Sequence, residues 1–378
     1  MTAVSVGAPS SDQTAHRTGG GGLRVLMPHR VVLNLYLTAI GRAFESNGCV
    51  VVYGPENLME SGGRYDIIAL HWPEELCRGY GSGPVDVRTK RFLEALDDHR
   101  ARGAKVLWIV NNLVPHEYPD STIDRDAYQG VIDRCDLLVH YCHQSVDAIA
   151  ATYQVPQGLP MCVVDFGNFD GYPDVLSREA SRARLGIPPN AFVFLAFGAI
   201  RGYKGFGLLL EAFRRARVPG KFLLAAGQYT GVGGVRGKIE SMRIEFLRRL
   251  GRNVRLDLAS IPDADVVGYL RAADVVTLSH SRGLNSGIPA LAMTFGKMVI
   301  GPDIGCIGSV IAKGPNLLYR AGDAGALAET MEAAARIDVA EVGRRNAEIA
   351  ARWQWSRIVA EMLEAARHVQ VRRESRIA

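Results

Sequence analysis

The stretch FVFLAFGAIRGYKGFGLLLEAF (192–213) sets the frame for the whole chain. An apolar run rich in aromatic and aliphatic residues stops at Gly198, a loop carries Arg201 and Lys204, and a Leu-rich helix is expected over Gly205–Arg217. A strand, a polar loop and a helix in that order make one βα unit. Working outward, the same alternation continues through KFLLAAG (221–227), a helix near Lys238–Leu250, VRLDL (254–258) and a helix at Ala264–Ala272. DVVTLS (274–279), a helix at Ile288–Phe295 and KMVIGP (297–302) complete the series. Toward the N-terminus, LRVLM (23–27), CVVVY (49–53), YDIIAL (65–70), KVLWIV (105–110) and DLLVHY (136–141) read as strands, with helices such as Leu35–Asn47 and Val87–Arg102 between them. Repeated βα units imply α/β architecture with parallel sheets.

Around Gly167 to Pro189 the run DFGNFDGYPD, an Arg/Glu-rich piece and LGIPPN concentrate turn formers, which places a domain boundary there. The expected organisation is a Gly/Ser-rich disordered leader over 1–22, an N-terminal domain over 23–180, a C-terminal domain over 181–350, and a C-terminal segment, 351–378, packing back on the N-terminal domain. Val342 to Val369 reads as helical, with Trp353 and Trp355 as core residues. Two doubly wound, Rossmann-like domains place a cleft between the carboxyl ends of their sheets, where open α/β folds bind ligands.

Composition narrows the function. The chain has 378 residues, enough for about two domains. No apolar run approaches the roughly 20 residues of a membrane span; the longest, Ala191 to Ile200, is interrupted by Gly198. The six cysteines show no Cys-x-x-Cys pair and no secretion signal precedes them, so a reduced, cytoplasmic protein without structural zinc is expected. Residues 23–180 carry 14 basic and 21 acidic groups, a balance of −7; residues 181–378 carry 29 and 17, a balance of +12. The basic half therefore meets an anion. Its cations lack the interleaved aromatics of a single-strand nucleic-acid surface, which favours a phosphorylated small molecule over nucleic acid.

Two loops carry that chemistry. In 197–213, Gly198, Gly205 and Gly207 let backbone approach a ligand, and Arg201 and Lys204 can clamp a diphosphate before a helix N-terminus. In DVVTLSHSRGLNSGIPALAMTFGKMVIGPDIG (274–305), Asn285, Ser286 and Gly287 offer donors at a second helix start, although Ser286 could equally be a solvent-exposed cap.

Taken in order, from about Leu23 to Val369, these blocks resemble the GT-B nucleotide-sugar-dependent glycosyltransferases, in particular the glycosyl transferases group 1 family. Gly198, Arg201, Lys204, Gly205 and LLLEAF match the family's donor-phosphate block in spacing. IPDADVVGYLRAADVVTLS (261–279), MTFGKMVIGPDIG and LLYRAGDAGALAETM (317–331) are similar to its later segments. The resemblance implies a hexosyltransferase that uses a GDP- or UDP-sugar as substrate, with no further cofactor. Cations and a helix dipole carry the diphosphate's charge, so no divalent metal is required. Gln228, Ile261 and Pro262 fall near the nucleobase and ribose. The family's usual pair of glutamates is replaced here by Gly283 and Leu291, so retaining stereochemistry does not transfer. Ser281, Asn285 and Asp303 become the candidates for the sugar and ribose contacts. The Asn-Ser-Gly loop is similar to that of bacterial relatives acting in polysaccharide or glycolipid assembly.

In the N-terminal half, ALHWPEEL (69–76) and WIVNNLVPHEYP (108–119) place polar residues directly after strands. Relatives carry a histidine where this chain has Asn111 and another where it has Phe166. An acceptor hydroxyl must lose its proton as the glycosidic bond forms, and His116, His71, Glu117 and Glu74 are the candidate bases. Asn34, Glu74 and Asn112 are the candidate acceptor contacts. The acceptor is expected to be a glycan or a lipid-linked sugar, with Val87–Arg102 a possible membrane-surface helix through Arg88, Lys90 and Arg91, or simply a solvated face. His140 and His143 share a helical spacing but lack a third metal ligand. Gly231–Gly237 reads as a flexible loop or lid. Two rival functions stay open: a sugar-nucleotide epimerase or hydrolase on the same plan, and a non-catalytic sugar-nucleotide-binding protein.

Overall fold

The computed structural model describes residues 22–30, 34–60, 62–115, 122–199, 201, 204–229 and 253–369. The expected leader, apart from Gly22, the helix near 238–250 and the glycine loop 231–237 lie outside them.

The described residues form two six-stranded parallel sheets. The first contains β1 (Arg24–Met27), β2 (Val50–Tyr53), β3 (Ile67–Leu70), β4 (Lys105–Ile109), β5 (Leu137–His140) and β6 (Met161–Val163), in the order β2-β1-β3-β4-β5-β6. The second contains β7 (Phe192–Phe197), β8 (Lys221–Ala226), β9 (Val254–Asp257), β10 (Val275–Thr277), β11 (Met298–Pro302) and β12 (Leu317–Tyr319), in the order β12-β11-β10-β7-β8-β9. The central strands β3, β4 and β5 are almost wholly buried, as their uninterrupted apolar runs require in a sheet covered on both faces. In each sheet the strand order reverses at the first strand, so the crevice outside the carboxyl ends lies beyond β1 and β3 in one domain and beyond β7 and β10 in the other.

The chain crosses between the domains twice, at adjacent points. After β6 it leaves the first sheet, and the helix Arg178–Arg184 already packs on the helix Asp263–Ala272 of the second domain. Arg182 is buried there and bonds the carbonyls of Ala272, Pro189 and Ala191 and the Asp274 carboxylate. The return follows the helix Val339–Ala350. Asn168 joins the two crossings: its N–H donates to Trp353 O at 2.8 Å, its Nδ2 donates to Ala350 O, and its carbonyl accepts from Trp355 Nε1 at 2.8 Å. A Cβ on Gly167 would sit 2.1 Å from the Trp355 ring, so only glycine fits beside that indole.

The final segment differs from the expected continuous helix. Helices Val339–Ala350 and Trp355–His368 are separate, because the chain turns at 351–354 to bury Trp353 and Trp355 in the crossing. Helix Trp355–His368 then packs on helix Leu35–Ser46 of the first domain, with Asn47 Nδ2 donating to Ser356 O and Lys105 Nζ to Ala366 O.

The cysteines also differ from the reduced state expected. Cys142, at the start of helix His143–Thr152, and Cys306, in helix Gly305–Ile311, form a disulfide across the two domains, with their Cα atoms 5.3 Å apart. A separation of 164 residues gives no sequence signal, and only the docked domains bring the two together. Further bonds cross the same face: Ser309 Oγ to Gln144 Oε1, the Lys313–Asp165 ion pair, and Asn285 Nδ2 to the carbonyls of Val110 and Asn111.

Candidate active site between the two sheets

Between the carboxyl ends of the sheets lies a cavity of about 870 Å³ lined by both domains. On its C-terminal wall, β7 is followed by Gly198, whose φ of +93° is one that residues with a side chain rarely adopt; a Cβ there would lie 3.3 Å from Ile288 Cδ1 and 3.6 Å from Lys204 Nζ. The following loop is held tightly. Lys204 N donates to Arg201 O at 2.9 Å, and Ser279 Oγ, from the loop after β10, donates to Lys204 O at 2.7 Å. Gly205 has φ +64°, and a Cβ there would fall 2.1 Å from Ser279 O. These restraints fix Lys204 and Arg201 on the cavity wall. Burial, with Arg201 second, pushes the Lys204 ammonium down to about 8. Among the described residues no carboxylate pairs with Lys204, so an anionic ligand would restore its charge.

The N-terminal wall is built from the ends of β1 and β3. His29 is buried, and its Nε2 accepts from the His71 N–H at 3.0 Å, which leaves the ring proton on Nδ1, 3.4 Å from Glu75 Oε2. Beyond β3 the helix Pro73–Gly79 begins with proline in its first turn and with Glu74 and Glu75 at its positive end. Glu74 Oε2 accepts from the Tyr128 hydroxyl at 2.6 Å and Oε1 accepts from Asn112 Nδ2 at 3.3 Å. Burial raises the Glu74 carboxyl to about 7, against the stabilising pull of those two hydrogen bonds. A carboxyl poised there exchanges a proton near neutrality.

The structure brings together Arg201, Lys204, Asn34, Glu74 and Asn112 on one cavity. His116 and Glu117 lie outside the described residues. His71, expected as a possible base, does not line the cavity: it is 1% exposed, its Nδ1 is bonded to the Tyr36 hydroxyl, and burial, then His29, hold its pKa well below the usual imidazole value. It is a neutral core residue beneath the site. Asn285 spends its amide donors on Val110 O and Asn111 O, making it a strap between domains instead of a phosphate ligand. Gly287 faces Phe169 and Phe166, while Ser286 Oγ accepts from the Ile288 N–H. Gln228, Ile261 and Pro262 do not line this cavity; Tyr229, next to Gln228, donates its N–H to Leu258 O. His140 is bonded through Nδ1 to Ser145 Oγ. Arg88 leaves the solvent face expected of its helix, Val85–Ala101, and enters the cavity, donating to Arg78 O at 2.8 Å.

Residues 177–350 match the model of the family described as Glycosyl transferases group 1. Those residues belong to that family. The group 1 domain thus begins at the N-cap of helix Arg178–Arg184 and ends with helix Val339–Ala350, the two points where the chain crosses. It supplies Arg201, Lys204 and Ser279. The chain is 28% identical over 256 residues to D-inositol 3-phosphate glycosyltransferase of Mycolicibacterium smegmatis, covering 66% of this chain and 57% of that relative. It is 24% identical over 239 residues to GDP-mannose:glycolipid 4-beta-D-mannosyltransferase of Xanthomonas campestris, covering 63% and 62%. It thus spans less than two thirds of either relative. The fold is that of Anabaena HepE in complex with UDP and glucose, with TM-score 0.68, 16% identity and coverage of 91% of this chain and 100% of that one. The sucrose-phosphate synthase of Thermosynechococcus elongatus shares it, with TM-score 0.67, 16% identity and coverage of 92% and 98%. The architecture is GT-B, as the sequence implies.

Among the described residues no helix is long and apolar enough to cross a membrane. Sequence reasoning missed His29, Arg30, Arg78 and Tyr128 as residues at or beside the site. The run PHR (28–30) directly after the first strand was the available signal for two of them; Tyr128 reaches Glu74 from a helix whose packing no local pattern reveals.

Proposed function

We propose that this protein is a glycosyltransferase moving a hexosyl group from a nucleoside-diphosphate sugar, with GDP or UDP as the carrier, to a glycan or lipid-linked acceptor bound by the N-terminal wall, in polysaccharide or glycolipid assembly. One observation carries the reading: a clamp of two cations, Arg201 and Lys204, shares a cavity with a carboxyl near neutrality, Glu74. The relatives' names, a GDP-mannose enzyme and an inositol phosphate enzyme, and the UDP complex of a structural neighbour support the donor class.

The chemistry follows from these groups. The acceptor hydroxyl gives its proton to Glu74 as its oxygen bonds the sugar's anomeric carbon and the bond to the diphosphate breaks. Lys204 and Arg201 stabilise the charge that develops on the leaving diphosphate. A thermal-shift panel with GDP, UDP, dTDP and ADP, with Lys204→Ala alongside, tests the donor site. One diphosphate should stabilise the wild type and not the variant; no shift with any of them overturns the reading. Sugar release or isomerisation from donor alone, at the rate seen with an acceptor present, would place the protein in another reaction class.

A further inference from the structure

Cys142 follows β5 and Cys306 follows β11, so their disulfide lies at the carboxyl ends of both sheets, the side on which the cavity lies. The walls of that cavity belong to different domains, with Arg201 and Lys204 on one and Glu74 and Asn112 on the other. Their separation is therefore set by how the domains dock. The half-cystine on the C-terminal side supports the loop that reaches across. Cys306 N–H donates to Leu284 O at 2.9 Å, and the next residue, Asn285, donates to Val110 O and Asn111 O. Asn112, which follows Asn111, holds Glu74. Docking also covers the pair: Cys142 is 5% exposed and Cys306 1%. A thiol reagent reaches them only where this face parts, and the contacts beside them, the Ser309–Gln144 hydrogen bond and the Lys313–Asp165 ion pair, are solvent-exposed and resist parting weakly. Arg30, Glu75 and Gly79 on the cavity lining are exposed, so ligands enter with the disulfide intact.

We infer that Cys142 and Cys306 form a thiol–disulfide exchange site through which a small-molecule thiol and disulfide of the glutathione class control the cleft: the oxidised pair holds the two walls at the separation a sugar nucleotide bridges, and reduction releases them. This rests on the transferase reading and adds its regulation. In reduction a glutathione thiolate attacks one sulfur of the pair, the S–S bond breaks, and the other sulfur leaves as a thiolate. A second glutathione attacks the mixed disulfide, which yields two protein thiols and one glutathione disulfide. Two glutathione molecules thus supply two electrons, and the protons they lose end on Cys142 and Cys306; oxidation is the reverse. A ligand that touches both walls favours docking, and docking favours the disulfide, so the two equilibria are linked reciprocally. Whatever binds the oxidised form better must protect it from reduction by the same factor.

The test poises the full chain in mixtures of reduced and oxidised glutathione, approached from both directions. Alkylation and mass spectrometry count the reactive thiols, and calorimetry measures the binding of GDP-mannose, UDP-glucose, GDP and UDP to the oxidised and the reduced protein. A sugar nucleotide that binds is expected to lose affinity by about fivefold or more on reduction, while its diphosphate, clamped within one domain, changes by less than about twofold. Saturation with that sugar nucleotide should raise, by the same factor, the ratio of squared glutathione to glutathione disulfide at which half the pair is reduced. Cys142→Ser/Cys306→Ser should bind as the reduced wild type does and ignore glutathione, with its circular dichroism unchanged. The inference is overturned if the pair stays reduced in every mixture, if sugar-nucleotide affinity is the same in both states, or if the sugar nucleotide leaves the half-reduction point where it was. It is overturned too if diphosphate and sugar nucleotide lose affinity equally, which would make the disulfide a brace for the C-terminal domain alone. A protein that binds none of the four ligands in either state would instead remove the transferase reading beneath it.

Discussion

Glu74 Oε2 receives the Tyr128 hydroxyl at 2.6 Å, so a residue on the cleft helix Pro73–Gly79 is held by one on the buried face of helix Thr122–Arg134. The bond opposes burial: it favours the carboxylate, while desolvation favours the acid, and the result is a group near 7.

The first prediction follows from that balance. Glu74→Gln keeps the shape and removes the base, and transfer should fall by about a hundredfold or more. Tyr128→Phe removes a donor that stabilises the charged form, so the Glu74 carboxyl should rise above 7 and the acidic limb of kcat/KM should move to higher pH. A variant profile superimposable on the wild type would remove Glu74 from the proton transfer.

Lys204 supplies the opposite limb. Its ammonium is pushed down to about 8, and a bound diphosphate favours the charged form. Below that value the clamp is complete; as pH rises through it the free protein loses the charge and donor affinity falls. At pH 8 donor binding should take up protons, seen as a calorimetric enthalpy that varies with the ionisation heat of the buffer. Lys204→Ala should abolish that dependence and weaken donor binding by about ten- to a hundredfold, as expected for one charge-assisted hydrogen bond.

The sheets were legible because fully buried parallel strands read as apolar runs, and the run at 192–197 is followed by Gly198, which begins the loop carrying Arg201 and Lys204. Lys204 was legible for the same reason: strand, glycine, cation and helix are close in sequence. The N-terminal wall was harder. Glu74 and Asn112 are polar residues after strands, but what separates Glu74 from a solvated glutamate is its burial against Tyr128, 54 residues away. His71 looked equivalent and is not, because Tyr36 and His29 enclose it. Arg88 sits at a position whose helix periodicity suits a solvent face, yet its length carries it into the cleft. The pairing of Cys142 with Cys306 depends on domain docking alone.

Gly205 provides a test of the loop's geometry. Its left-handed φ of +64° costs a side chain about 1–2 kcal/mol by itself. A Cβ 2.1 Å from Ser279 O must also push the loop after β10 away from Lys204. Gly205→Ala should therefore weaken diphosphate binding at least tenfold in a protein whose circular dichroism is unchanged. Gly207→Ala, where a Cβ meets nothing within 4 Å, should bind as the wild type does.

The disulfide makes the last prediction. Cys142 and Cys306 are 164 residues apart and sit in different domains, so the bond restrains both the unfolded chain and the opening of the cleft. Chain-entropy arguments put the first effect at about 5 kcal/mol for a loop of that length. Reduction of the wild type should lower its melting temperature by several degrees, and the double variant Cys142→Ser/Cys306→Ser should melt at the lower temperature with or without reductant. The domains remain joined at Asn168 and through Asn285, so small-angle scattering should show the reduced protein folded but with a larger radius of gyration. A melting temperature and radius indifferent to reductant in the wild type would mean that the two thiols do not constrain the cleft.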